Sequence, residues 1–117
     1  MKVGIIGAGA VGSATAFALI MRGVARKVIL VDTNEKKAWA EAMDITHATP
    51  FAFASKIKCG TYEDLIGSEV VIITAGANQK EGETRIDLVE TPKWYPSNVL
   101  KRAVSRTVPL PITLARA

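Results

Sequence analysis

Cysteine is nearly missing from this chain, and acid is missing altogether from its last stretch. The single cysteine among 117 residues, Cys59, excludes an internal disulfide framework and fits a reducing, cytoplasmic compartment; in itself it reads as a half-buried strand residue. No apolar run approaches the roughly 18 residues that cross a bilayer, so no membrane partner is expected. The apolar start MKVGIIGAGAVG is broken by glycines and has neither a basic leader nor a small-residue cleavage site, so no targeting segment is read there. No metal site is read anywhere in the chain. Residues 91–117 contain no Asp, no Glu and no Gly, yet hold Lys93, Lys101, Arg102, Arg106 and Arg116 and four of the five prolines. The formal charge of +4 is therefore uneven: residues 1–90 carry 10 basic and 11 acidic groups, and the remaining five basic groups lie beyond them. A nucleic-acid partner would need a basic patch on the folded part, and that part is slightly acidic.

What is present is a regular alternation. KVGIIG is a short, β-branched apolar run ending in glycine, as in a buried strand. Ala10 to Arg22 follows with Val11, Ala14, Phe17, Ala18 and Met21 at helical spacing, and Gly23 as a stop. KVILVD reads as a second strand. Glu35 to Thr46 reads as a second helix, with Trp39, Ala42, Met43 and Ile45 apolar and Asn34 as its N-cap. SKIKCG alternates like a half-exposed third strand, YEDLIGS is a helical turn, and EVVIITAG is a fourth strand. Strands alternating with helices imply right-handed crossovers: an α/β, Rossmann-like, doubly wound parallel sheet with expected strand order 3-2-1-4. Only the first four strands of such a sheet are read here, so it is incomplete and the fourth strand is expected to lie at an open apolar edge. Beyond it, Thr84 can cap a short helix that Pro92 stops, and the tail has no clear period of either kind.

Gly7-Ala8-Gly9-Ala10-Val11-Gly12 has the spacing G-x-G-x-x-G, directly after a strand and opening a helix. Gly7 permits the tight turn, Gly9 lets a pyrophosphate approach the backbone, and Gly12 lets helix and strand pack closely. The helix start, with Ala10 and Val11, offers unpaired N–H groups and the positive dipole end to phosphates. Asp32 stands twenty positions past Gly12 at the end of the second strand, where a carboxylate would bond the ribose hydroxyls of an adenine dinucleotide. It would also repel a 2′-phosphate, which favours NAD over NADP.

KVGIIGAGAVGSATAFAL, VILVDTNEKKAWAEAMDITHA and VVIITAGANQKEGETRIDLVE resemble the N-terminal half of the lactate/malate dehydrogenases, on the L-lactate dehydrogenase side. The resemblance covers residues 1–90 and implies NAD-dependent reduction of pyruvate to lactate. It also implies that the polar loop after the fourth strand closes over substrate. On this basis Gln79 matches the substrate-discriminating residue, Arg85 is both a substrate-binding and a catalytic group that polarises the carbonyl, and Thr74, Ala75, Gly76 and Asn78 line the cofactor. Chemistry agrees: a guanidinium stabilises charge developing on a ketone oxygen, whereas a neutral glutamine faces a methyl group and offers no counter-charge to a second carboxylate. The only histidine, His47, matches a non-catalytic family position; the family's catalytic histidine, its orienting aspartate and its carboxylate-clamping arginine have no counterpart here. Full-length relatives are expected to be homo-oligomeric.

The resemblance breaks at Thr91. Two domains are therefore expected: a partial dinucleotide-binding domain over 1–90, and a basic, proline-rich tail over 91–117 that is frameshifted or disordered. If codon 90 ends in A, reading one base earlier turns Thr-Pro-Lys-Trp-Tyr into codons that can spell Asn-Ala-Glu-Met-Val. The alternatives left open are a malate dehydrogenase, against which Gln79 argues, a non-catalytic nucleotide-binding fragment, and a βαβ domain without ligand.

Overall fold

A computed structural model describes residues 1–51, 54–75 and 113–114. The elements run β1 (Lys2–Ile6), α1 (Ala10–Met21), β2 (Lys27–Val31), α2 (Glu35–Ala48), β3 (Lys56–Cys59), β4 (Val70–Ile73) and β5 (Thr113–Leu114), with 3-10 turns at Thr49–Phe51 and Glu63–Leu65. All the strand pairs are parallel, in the order β3-β2-β1-β4-β5. β1 lies between β2 and β4, with Ile5 opposite Leu30 on one side and Ile72 on the other. A strand paired on both edges and covered on both faces must be apolar nearly throughout, and KVGII is.

The pleat sorts the core into two layers. Val3, Ile5, Val28, Leu30 and Ile57 face α1 and α2, where Ala16, Ile20, Ala38, Ala42 and Ile45 meet them. Ile6, Ile29, Val31 and Ile73 point the other way and are covered by Leu65, with Tyr62 and Val71 at the margin. Gly4 makes the second layer possible, since a Cβ there would stand 2.5 Å from Leu65 Cδ2. Asn34 caps α2 by accepting the Lys37 N–H at 3.1 Å. β3 alternates as its sequence requires, with Ile57 buried, Lys56 and Lys58 exposed, and Cys59 half-buried.

Two expectations are corrected. The apolar stripe of α1 was expected through Val11, Ala14, Phe17, Ala18 and Met21; the helix instead buries Gly12, Ala16 and Ile20, leaving Val11 and Phe17 exposed. This helix is apolar on nearly every side, so periodicity could not choose its face. Close approach to the sheet selects small residues. β4 was expected at an open edge, but Ile72 and Ile73 pair with Thr113 and Leu114 of β5, in a segment without strand periodicity. Two residues are too few to show a period. The order 3-2-1-4 stands, with β5 added outside it. Among the described residues no helix is long and apolar enough to cross a membrane, and no group of His, Cys, Asp and Glu could hold a metal.

Candidate functional site

The carboxyl ends of β1, β2 and β4 converge on one turn. Leaving β1, the chain reverses at Gly7, whose φ of +109° suits glycine. The Gly7 N–H donates to the Val31 carbonyl at 2.7 Å, which ties the turn to the end of β2. Behind it lie Thr74 and Ala75, just past β4. Their N–H groups both donate to the Ile6 carbonyl, at 2.8 and 3.0 Å, and the Thr74 hydroxyl donates to the Gly7 carbonyl at 3.1 Å. A Cβ on Gly7 would meet the Ala75 nitrogen at 2.6 Å. A Cβ on Gly12 would fall on the Gly7 carbonyl oxygen and stand 2.7 Å from Thr74 Oγ1. Gly7 and Gly12 are thus required by the fold itself.

Gly9 differs. It is the N-cap of α1 in extended geometry, and a Cβ there would meet nothing within 4 Å. No contact among the described residues calls for a glycine at this position, so its small size leaves room for something from outside. The start of α1 has no side-chain cap and no acidic residue in its first turn, and Ala10 and Val11 are exposed there. Such a helix end presents N–H groups and positive potential to an anion.

Asp32, one residue past β2, completes the constellation. Its Oδ2 accepts the Ala8 N–H at 2.7 Å, and its Oδ1 accepts the Asn34 N–H at 2.8 Å and the Thr33 hydroxyl at 3.3 Å. Tyr62, which the sequence reading passed over, is half-buried beside this end of the sheet; burial, and then the Asp32 charge, raise its phenol above the usual tyrosine range. Nothing in the spacing of YEDL announces that proximity, which only the return of β3 creates. Of the expected site residues, Gly7, Ala10, Val11, Asp32, Thr74 and Ala75 gather at this end of the sheet. Gly76, Asn78, Gln79 and Arg85 lie outside the described residues. His47 is exposed in the last turn of α2. Helix α2 runs antiparallel to the strands, and twelve residues at 1.5 Å each put His47 roughly 18 Å from the helix start beside Asp32.

Known proteins resemble this chain in sequence and in fold. A family model described as lactate/malate dehydrogenase, NAD binding domain, matches residues 1–106, past the break at Thr91. The L-lactate dehydrogenase of Thermus aquaticus is 58% identical over 90 residues, 77% of this chain and 29% of that protein. That of Acetivibrio thermocellus is 50% identical over 103 residues, 88% of this chain and 32% of that protein. Among solved structures, the minor L-lactate dehydrogenase of Enterococcus mundtii matches with a TM-score of 0.79 and 36% identity, covering 97% of this chain and 36% of that one. The malate dehydrogenase of Archaeoglobus fulgidus in complex with NADH matches with a TM-score of 0.79 and 34% identity, covering 97% of this chain and 40% of that one. The chain thus spans about a third of the length of these relatives.

Proposed function

The chain belongs to the lactate/malate dehydrogenase family and carries that family's NAD-binding domain, and from this premise we propose that it is the cofactor-holding part of an L-lactate dehydrogenase, a cytoplasmic enzyme reducing pyruvate. The observation that carries the reading is the convergence of the Gly7–Gly12 turn, Asp32 and the Thr74–Ala75 wall at one end of the sheet. These residues fit the cofactor: Gly9 leaves open space, the α1 start is uncapped, and the Asp32 carboxylate is an acceptor for a ribose hydroxyl. NADH, when bound, supplies the hydride. Asp32 disfavours a 2′-phosphate, so NADH should bind more tightly than NADPH.

In this reading Ala10 and Val11 lie against the cofactor phosphates, and Thr74, Ala75, Gly76 and Asn78 line its path. Arg85 stabilises the negative charge that develops on the substrate carbonyl oxygen, and Gln79 accepts the pyruvate methyl end while offering no partner to a second carboxylate. The preference for pyruvate over oxaloacetate rests on Gln79 alone. The dinucleotide-binding domain takes in residues 1–90 and reaches past Thr91, since the family match extends to residue 106.

The literal chain should bind cofactor without turning it over. Carbonyl reduction needs a proton donor within hydrogen-bond reach of the oxygen, and the only histidine lies at the opposite end of α2 from Asp32. The chain spans about a third of its relatives' length, and the cofactor-holding role is the part of their activity proposed for it. Fluorescence titration with NADH and NADPH, followed by an NADH-oxidation assay with excess pyruvate, tests both halves. Equal affinities would sink the Asp32 argument. Robust turnover abolished by His47→Ala would sink the claim that His47 is too far away to serve as the proton donor.

A further inference from the structure

The Asp32 carboxylate is bonded by the chain itself. Ala8, fully buried between the reversal at Gly7 and the N-cap Gly9, gives its N–H to Oδ2 at 2.7 Å. Asn34, the N-cap of α2, gives its N–H to Oδ1 at 2.8 Å. One carboxylate therefore ties together the starts of α1 and α2, and the Gly7 N–H bond to Val31 is the parallel backbone tie a residue away. From this geometry we propose that Asp32 is a positioning residue for the phosphate site, setting the glycine-rich turn through the Ala8 N–H in addition to meeting a ribose. The proposal rests on the cofactor-site reading above.

The Ala8 N–H precedes the helix, so no turn of α1 can satisfy it, and it is buried where water cannot. Its partner among the described residues is the Asp32 carboxylate. A charged acceptor makes that bond stronger than a neutral one would. The orientation of Ala8 sets the orientation of Gly9, and Gly9 begins the row of N–H groups aimed at an anion. An ionised carboxylate has about four acceptor positions. Ala8, Asn34 and the Thr33 hydroxyl occupy three, which leaves one for a ribose hydroxyl.

Inorganic pyrophosphate separates this role from simple ribose binding, because it has no ribose. If Asp32 only meets a ribose, neutralising it removes a repulsive charge, and pyrophosphate should bind as well or better. If Asp32 positions the turn, pyrophosphate binding should weaken despite the lost repulsion, by roughly 10- to 100-fold at most, the range one lost hydrogen bond to a charged group converts to. The experiment follows ¹H–¹⁵N spectra of the whole chain and of Asp32→Asn and Asp32→Ala during pyrophosphate titration, together with amide exchange at Ala8 and Asn34. Asn retains one acceptor oxygen and should fall between the other two. We expect the Ala8 amide proton to lose its downfield position and its protection fully in Asp32→Ala and in part in Asp32→Asn. Unchanged Ala8 protection in Asp32→Ala, or pyrophosphate affinity of that variant equal to or above that of the parent, overturns the proposal. Failure of the parent chain to bind NADH, with the Ala8 signature intact, would instead count against the cofactor reading and leave the positioning role standing.

Discussion

Replacing Gly12 or Gly9 with alanine adds the same methyl group to the same turn, and the two changes should act on different properties. At Gly12, inside α1, alanine has the better helix propensity by about 1 kcal/mol. Against this, the new Cβ falls on the Gly7 carbonyl oxygen and crowds Thr74 Oγ1. The first obstacle is backbone, which cannot rotate aside, so α1 must lift from the sheet over Ile5 and Leu30. Overpacking of this kind costs roughly 1–3 kcal/mol, and loss of the bond from the Thr74 hydroxyl to Gly7 would add about 0.5–1.5 kcal/mol. The costs exceed the gain, so Gly12→Ala should be less stable by about 1–3 kcal/mol. For a domain of this size that lowers Tm by roughly 4–8 °C per kcal/mol. At Gly9 the Cβ meets nothing and the backbone is extended at φ −79°; stability should change by no more than about 1 kcal/mol, the difference between cap residues. NADH affinity should fall, because the methyl occupies the approach of the phosphates. Thermal melts and fluorescence titration of both variants decide the matter. A Gly12→Ala chain as stable as the parent, or a Gly9→Ala chain with unchanged NADH affinity, would refute the division drawn here between glycines the fold needs and a glycine the ligand needs.

Leu30→Ala should destabilise by about 2–5 kcal/mol in denaturant melts, since Leu30 is fully buried between β1 and β3 beneath the helices. The Asp64 carboxyl is held below the usual range by the Thr61 N–H and then by Lys58. Its stabilisation is thus present above the ordinary carboxylate pKa of about 4 and lost as pH falls through the lower folded value; Asp64→Asn should flatten that acid limb in a pH series of melts. The Tyr62 phenol is raised, so its contribution is intact below about pH 10 and lost as pH rises through the higher folded value; Tyr62→Phe should extend stability at the alkaline end. In a chain completed to the length of its relatives, Gln79→Arg should shift preference from pyruvate towards oxaloacetate, read as a ratio of kcat/KM values; no shift would mean that residue 79 does not face the third carbon.

Strand order, the Asn34 cap and the meeting of the Gly7–Gly12 turn with Asp32 were legible because each rests on contacts local in sequence or on a topology that parallel strands force. The buried face of α1 was not. A helix apolar almost all round carries no period, and only the closeness of the sheet, set by Gly12 against Gly7, selects the small side. Tyr62 escaped notice because its nearness to Asp32 depends on where β3 ends, not on its neighbours in the chain. β5 escaped because its pairing partner lies some forty residues earlier and supplies the pattern that Thr113 and Leu114 lack.

The wall formed by Thr74 and Ala75 has a consequence for the order in which this protein matures. The fingerprint turn and Asp32 are complete once residue 32 exists, yet Thr74 reaches back 67 positions to bond Gly7. Contacts so distant in sequence close late, because the intervening loop must first give up its freedom. During synthesis the chain therefore carries every residue of the dinucleotide motif for some time before the turn has anything behind it. A fragment ending after β3 would retain the whole motif and lack its backing, so cofactor binding would report the docking of β4 rather than the presence of the motif.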